Sequence, residues 1–236
     1  CCGGDGTFNE TLSGLLSAES KTPIGYIPTG STNDFASSLK LPLDVLEATK
    51  NIIEGQPVPY DAGRFGGRVF SYVASFGAFT RTSYTTPQSI KNALGHTAYV
   101  LEGIQELTQI RNEHIKMIVD GEVVEDDFLF GAICNSTSVG GVLTLDPDVV
   151  DLQDNKLEIL LVRAPRNLAE LHECILALQD QTYNCAMLTF RSATHIRIFA
   201  DPEMPWTLDG EREEGHSEVE VVPEHLAYRL MKRVQP

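Results

Sequence analysis

Residues 3–7, Gly-Gly-Asp-Gly-Thr, constrain this chain more than any other stretch. Three glycines in four positions let main chain come close to something bulky and anionic, and that works when a strand delivers the loop and a helix leaves it. The helix is legible: Phe8, Leu12, Leu15 and Leu16 fall on one face. Of the strand only Cys1 and Cys2 remain, read as its tail. One unit later the arrangement recurs. IGYIP (24–28) reads as a short buried strand, TGSTND (29–34) as a second loop, and Phe35, Ala36 and Leu39 as a helix with Asn33 or Asp34 as N-cap. A third helix is expected from Pro42, with Leu43, Leu46 and Ile53 facing one way and Gly55 as its stop. Adjacent parallel strands bring both loops to one carboxyl edge, where ligands of such sheets bind.

From about residue 57 the pattern changes to strands. YDAGRF, Gly66-Gly67 and RVFSYVASFGAF read as a hairpin, IKMIVDGEVVEDDFLF turns at Asp120-Gly121, and LEILLVR (157–163) and HIRIFA (195–200) are further strands. Helices are expected near 89–110 and 167–180, and SEVEVVPEHLAYRLM reads as a closing hairpin. The fold class is thus a partial α/β unit over 1–55 followed by a β-rich unit over 56–221, with 222–236 available to return to the first.

A formal charge of −15 leaves no basic stripe to displace counterions, which excludes nucleic acid as a partner. An acidic protein that handles phosphates needs a cation to mediate. No stretch approaches a membrane span and no charged segment precedes an apolar one at the start, so a cytoplasmic location is expected. The five cysteines, Cys1, Cys2, Cys134, Cys174 and Cys185, suit a reducing compartment and are expected to be small buried hydrophobes. Six histidines (His96, His114, His172, His195, His216, His225) form no metal or triad pattern, and Trp206 reads as a core or rim aromatic.

Within the first loop Asp5 is the odd residue. A carboxylate beside a phosphate is repelled unless it holds a metal ion or bonds a hydroxyl, which points to chemistry; a plain Asx turn is the simpler account. The second loop, with Gly30, Ser31, Thr32, Asn33 and Asp34, reads as a phosphate cradle or as an ordinary capped helix.

Taken together, GGDGTFNE and PTGSTNDFA resemble the catalytic domain of bacterial diacylglycerol kinases and the related sphingosine and ceramide kinases. ALGHTAYVLEGIQEL is similar to that family's second-domain helix, LQDNKLEILLV to its Asp-Gly-Leu strand entry, and LDGE (208–211) to its late Asp-Gly-Glu element. The four blocks span nearly the whole chain. The first alone is shared with NAD kinases and some phosphofructokinases; the Asn-Asp loop and the late Asp-Gly-Glu favour the lipid-kinase branch.

The resemblance implies an NAD-kinase-like α/β domain followed by a β-sandwich domain, and two further βα units of roughly 60 residues ahead of the first glycine loop. It implies ATP bound by Gly3, Gly4, Asp5, Gly6, Thr7 and Asn9 of the first loop and by Gly30, Ser31, Asn33 and Asp34 of the second. Glu211 would be the general base acting on a lipid hydroxyl, with Asp5 as its catalytic partner and Asp209 as the alternative base. Besides the magnesium carried by ATP, a second Mg2+ is implied near Asp154, with carbonyls of Asp151 and Lys156; Asn155 stands there in place of the usual glycine. The other Asp-Gly-Glu, 120–122, is read as a turn only. The implied activity is phosphorylation of diacylglycerol or a relative by an enzyme peripheral to the membrane. The alternatives are a kinase of a soluble substrate and a nucleotide- or lipid-binding protein without turnover. Oligomeric state, a homodimer included, is not legible.

Overall fold

A computed structural model describes residues 1–31, 33–77, 112–139, 143–145, 148–180, 183 and 185–233. The helix expected near 89–110, His96 and Thr32 lie outside the described residues.

The first segment runs β1 (Cys2–Gly3), α1 (Asp5–Ser17), β2 (Ile27–Pro28), α2 (Asp34–Ser38) and α3 (Val45–Ile53). β1 and β2 pair in parallel, Cys2 opposite Ile27 and Gly3 opposite Pro28. The expected strand at 24–28 is therefore short, and Ile24 instead bridges to Leu230 near the far end of the chain. α1 begins directly at Asp5, so Gly6 and Thr7 lie in its first turn and not in an extended loop.

The β-rich part comprises β3 (Gln56–Phe65), β4 (Arg68–Phe70), β5 (Val73–Gly77), β6 (Glu113–Val119), β7 (Glu122–Cys134), β8 (Ser138–Val139), β9 (Leu143–Thr144) and β10 (Leu157–Arg163). After α4 (Leu168–Gln179) come β11 (Leu188–Ala193), β12 (Ile196–Phe199), β13 (Trp206–Leu208), β14 (Glu211–Glu213) and β15 (Glu218–Lys232). Their main sheet is ordered β14-β13-β5-β7-β6-β12-β15-β3-β4, with β10 and β11 branching from β7. The branch arises because β7 is long: its first half pairs with β6, and its second half holds β5 on one side and β10 on the other. The sheet thereby curls into a sandwich.

Period-two alternation sorts the strand residues between two cores. Leu157, Ile159 and Leu161 enter the sandwich interior with Phe65, Phe76, Ile133 and Trp206, while Leu160 and Val162 turn to the other face with Phe8, Phe35 and Tyr228. Burial on both faces is why LEILLVR is an unbroken apolar run. The second core joins the two parts of the chain: the Phe8 ring lies 5.0 Å from Tyr26, 4.5 Å from Phe35 and 5.8 Å from Tyr228. Burying one such ring contributes about 1.5–3 kcal/mol.

Three expectations are corrected. The closing segment is one long strand, not a hairpin: Pro223-Glu224-His225-Leu226 forms a bulge, with the register against β3 shifting between Glu224 and Tyr228 and Leu226 at φ 46°. Residues 42–44 precede the third helix, which Asp44 caps by accepting from the N–H groups of Leu46 and Glu47. Leu43 ahead of it and its own Leu46 and Ile53 are exposed, and it packs through Ala48 and Asn51, whose amide binds Met231 O and accepts from Arg233 N. Of the cysteines only Cys134 and Cys174 are buried; Cys2 is exposed, and all five are free.

Candidate functional site

The two glycine turns meet. A Cβ on Gly30 would lie 2.5 Å from Gly4 Cα, and Thr29 N donates to Gly3 O, so the turns abut along the rim of the parallel pair. Only glycine at both positions permits that approach. Asn33 braces the second turn from within: its Oδ1 accepts from Gly30 N (2.8 Å) and its Nδ2 donates to Gly30 O (2.9 Å). It occupies the N-cap position of α2 in the left-handed region, φ 54°, but makes no capping bond. The cap comes from elsewhere. Asp5 accepts from Asp34 N (3.1 Å) and Phe35 N (3.2 Å), so the carboxylate that looked anomalous in the first loop satisfies orphan donors at the start of the second helix. Ser31 is exposed beside it.

The electrostatics of this rim are strained. Burial raises the Asp5 carboxyl above its ordinary value, against the two amides it accepts from. Burial, and then the charge of Asp5, push Asp34 up to about 6. Two carboxylates so placed repel when both ionise.

The turn LDGE closes the site from the sandwich side. β13 and β14 form a hairpin whose turn holds Asp209 at φ 51° and Gly210 at φ 85°. Glu211 reaches the first helix: its Oε1 lies 3.1 Å from where a Cβ on Gly6 would stand. A side chain at residue 6 would displace it. Asp209 is fully committed to structure. Its Oδ2 accepts from Asn9 Nδ2 (2.5 Å), Ser71 N (2.5 Å) and Ser71 Oγ (2.7 Å), and its Oδ1 from Tyr72 N and Val73 N (both 3.0 Å). With five donors on two buried oxygens it has no capacity to take a substrate proton. Asn9 divides its amide between Asp209 and Val69 O, tying α1 to the hairpin. Thr7 packs where a Cβ on Gly3 would stand.

The Asp151, Asp154 and Lys156 group stands apart from this rim, at an open hollow of about 720 Å³ lined also by Asp148 and Ser192. Asn155 adopts φ 62°, so it supplies a left-handed turn without glycine. Asp151 Oδ1 accepts from Gln153 N, and Asp154 Oδ1 from Lys156 N, both at 3.0 Å. Among the described residues no three His, Cys, Asp or Glu side chains are grouped to hold an ion unaided. Glu158, buried beneath the loop, has an Oε2 without a partner; burial first, then the charge of Asp154, push it up to about 8. This donor set fits a hard cation whose shell is completed by carbonyls and water.

Sequence reasoning missed Asp61. Fully buried in β3, it accepts from Leu226 N and Asn155 N (both 2.7 Å) and meets His225 Nδ1 at 3.0 Å. One carboxylate thus pins both the β15 bulge and the 151–156 turn. An aspartate between Tyr60 and Ala62 in an otherwise strand-like run was the available signal.

Comparisons with known proteins bear on the family and the fold. Residues 1–65 match the family model described as the diacylglycerol kinase catalytic domain, and residues 73–229 the one described as the YegS C-terminal NAD kinase beta sandwich-like domain. The diacylglycerol kinase of Bacillus subtilis (strain 168) is 32% identical over 211 residues, covering 89% of this chain and 69% of that protein. That of Staphylococcus carnosus (strain TM300) is 34% identical over 210 residues, 89% of this chain and 68% of the relative. Two crystal structures from Bacillus anthracis str. Sterne share the fold. One has a TM-score of 0.77 at 23% identity, covering 98% of this chain and 77% of that one; the other, of a diacylglycerol kinase, has 0.71 at 21%, covering 98% and 75%. The chain belongs to the diacylglycerol kinase catalytic-domain family.

Proposed function

We propose that this protein transfers the γ-phosphoryl group of ATP to the hydroxyl of a lipid such as diacylglycerol. The observation that carries this reading is Glu211 Oε1 standing over Gly6, within reach of the helix end where a phosphate would sit. Phosphates lie against the amides at the Gly3–Thr7 and Gly30–Ser31 turns, where the positive end of α1 favours them. Asn33 keeps the second turn in shape, and Asp5 locks the two turns together. Glu211 accepts the proton of the lipid hydroxyl as its oxygen attacks the γ-phosphorus, and ADP departs. Magnesium, when bound with ATP, neutralises the triphosphate against the carboxylates of the rim. Asp151, Asp154 and the Lys156 carbonyl are the proposed holders of the second cation.

The acceptor arrives from a membrane surface. Among the described residues no helix is long and apolar enough to cross a membrane, and the charge of −15 opposes prolonged residence on anionic lipid. The test is transfer of labelled phosphate from ATP to a lipid extract by the full chain, with Glu211→Gln as the paired variant. Lipid product with the wild type and its loss with the variant are expected. Labelled NAD in place of lipid would move the protein to the soluble-substrate kinases, and ATP binding without ADP formation to the non-catalytic proteins.

A further inference from the structure

Neither glycine turn contains Lys or Arg, and the chain beyond Asp209 is acid-rich, with Glu211, Glu213 and Glu214 in four residues. β14 is an edge strand, so Glu211 and Glu213 project to the same side and repel one another. Arg68, at the start of β4, lies between them. Its Nη1 is 2.5 Å from Glu213 Oε2 and its Nη2 is 3.5 Å from Glu211 Oε2. The two contacts differ in kind. The Glu213 side chain is 13% exposed and forms a firm anchor, whereas Glu211 is 48% exposed and would otherwise sweep freely from the strand edge. With Oε2 held by Arg68, Oε1 is the oxygen turned toward Gly6.

We propose that Arg68 is a positioning residue for the base: anchored on Glu213, it fixes Glu211 by one oxygen and leaves the other aimed at the phosphate turn. This rests on Glu211 acting as the proton acceptor. A guanidinium suits the task, since its planar fork offers a separate Nη to each carboxylate in a fixed geometry, which the single nitrogen of an ammonium does not. β4 itself is placed by α1, through Asn9 on Val69 O, so the clamp and the glycine turn are parts of one rigid unit.

Four variants of the full chain test this: Arg68→Gln, Arg68→Lys, Glu211→Gln and the double variant Arg68→Gln/Glu211→Gln, each with thermal melting beside steady-state kinetics. Arg68 is half-exposed, so all are expected to melt near the wild type. Arg68→Gln should lower kcat by about ten- to a hundredfold, the effect of letting a reacting group wander by about 1 Å, with KM for ATP within about twofold. Arg68→Lys should recover part of the loss, and the double variant should be no slower than Glu211→Gln alone. Wild-type kcat in Arg68→Gln, a raised KM for ATP with kcat intact, or a double variant slower than Glu211→Gln would each overturn the role of Arg68. Wild-type kcat in Glu211→Gln would overturn the base itself.

Discussion

Gly30→Ala is the most direct perturbation of the rim, because it adds one methyl group and nothing else. That carbon would stand 2.5 Å from Gly4 Cα, 2.8 Å from Asn33 Oδ1 and 3.3 Å from Gly4 N. Carbon atoms in contact sit about 3.5–4.0 Å apart, so the turns must part by roughly 1 Å. Two of the three obstacles are main chain, so no side-chain rotation absorbs the strain. Overpacking of this kind costs about 1–3 kcal/mol, and a protein of this size loses about 2–4 °C of Tm per kcal/mol. The catalytic effect should be larger than the thermal one: separating the two turns proposed to bind phosphate by about 1 Å should cost on the order of a hundredfold in kcat/KM. Gly14→Ala is the matched control. It is the same chemical change at an exposed position inside α1, with nothing within 4 Å of the added carbon, and it should stabilise by about 0.5–1 kcal/mol without touching turnover. Melting followed by circular dichroism and by the fluorescence of Trp206, the chain's single tryptophan, reads the whole fold and the sandwich core separately. If Gly30→Ala melts at or above the wild type and transfers phosphate at the wild-type rate, the turns do not form one binding rim.

Asp34 carries a pH signature. Its folded value of about 6 stands above the ordinary 3.8, so the folded state binds the extra proton and stability falls as pH rises from about 4 to 6. Asp34→Asn should therefore melt higher than the wild type at pH 7.5, and the difference should vanish near pH 3.5; an equal gain at both would refute the assignment. Asp61→Ala takes the shared acceptor from the N–H groups of Asn155 and Leu226 and should cost about 1–3 kcal/mol, read as a drop in the denaturation midpoint. Alkylation followed by mass spectrometry should label exposed Cys2 in the native protein. Cys134, fully buried and with its thiol pushed far up by that burial, should resist until the chain unfolds.

What the sequence disclosed was what short-range pattern encodes. The glycine turns, the Gly66-Gly67 and Asp120-Gly121 hairpins and the strand at 157–163 rest on local φ preferences and period-two burial, and each formed where the residues place it. What it hid depended on distant partners. The stretch Pro223–Leu226 carries every local mark of a turn, yet Asp61, over 160 residues away, binds Leu226 N and keeps the strand running through a bulge. Asp5 looked like a ligand for an external cation because its donors, the amides of Asp34 and Phe35, lie 29 and 30 residues downstream. The apolar residues of α3 suggested a buried face, but its contact with β15 is made by the side-chain amide of Asn51, and periodicity does not register a polar contact of that kind.

The two Asp-Gly-Glu strings show how little three letters decide. Each forms a hairpin turn with its aspartate at positive φ, Asp120 at 46° and Asp209 at 51°. In each the aspartate braces a neighbouring stretch of main chain: Asp120 accepts from Thr194 and His195, and Asp209 from Ser71, Tyr72 and Val73. Each glutamate then meets an arginine, Glu122 with Arg191 and Glu211 with Arg68. The turns differ in what lies beyond. Glu122 is the more exposed side chain of its ion pair, at 73%, and opens to solvent, whereas Glu211 has Gly6 and the end of α1 in front of it. The same local chemistry opens to solvent at one turn and at the other stands against the first turn of α1, where the phosphates are proposed to bind. Hence Glu122→Gln, assayed beside Glu211→Gln, should turn over like the wild type; a comparable loss from both would mean that the hairpins act through stability and that the glutamate opposite Gly6 takes no proton.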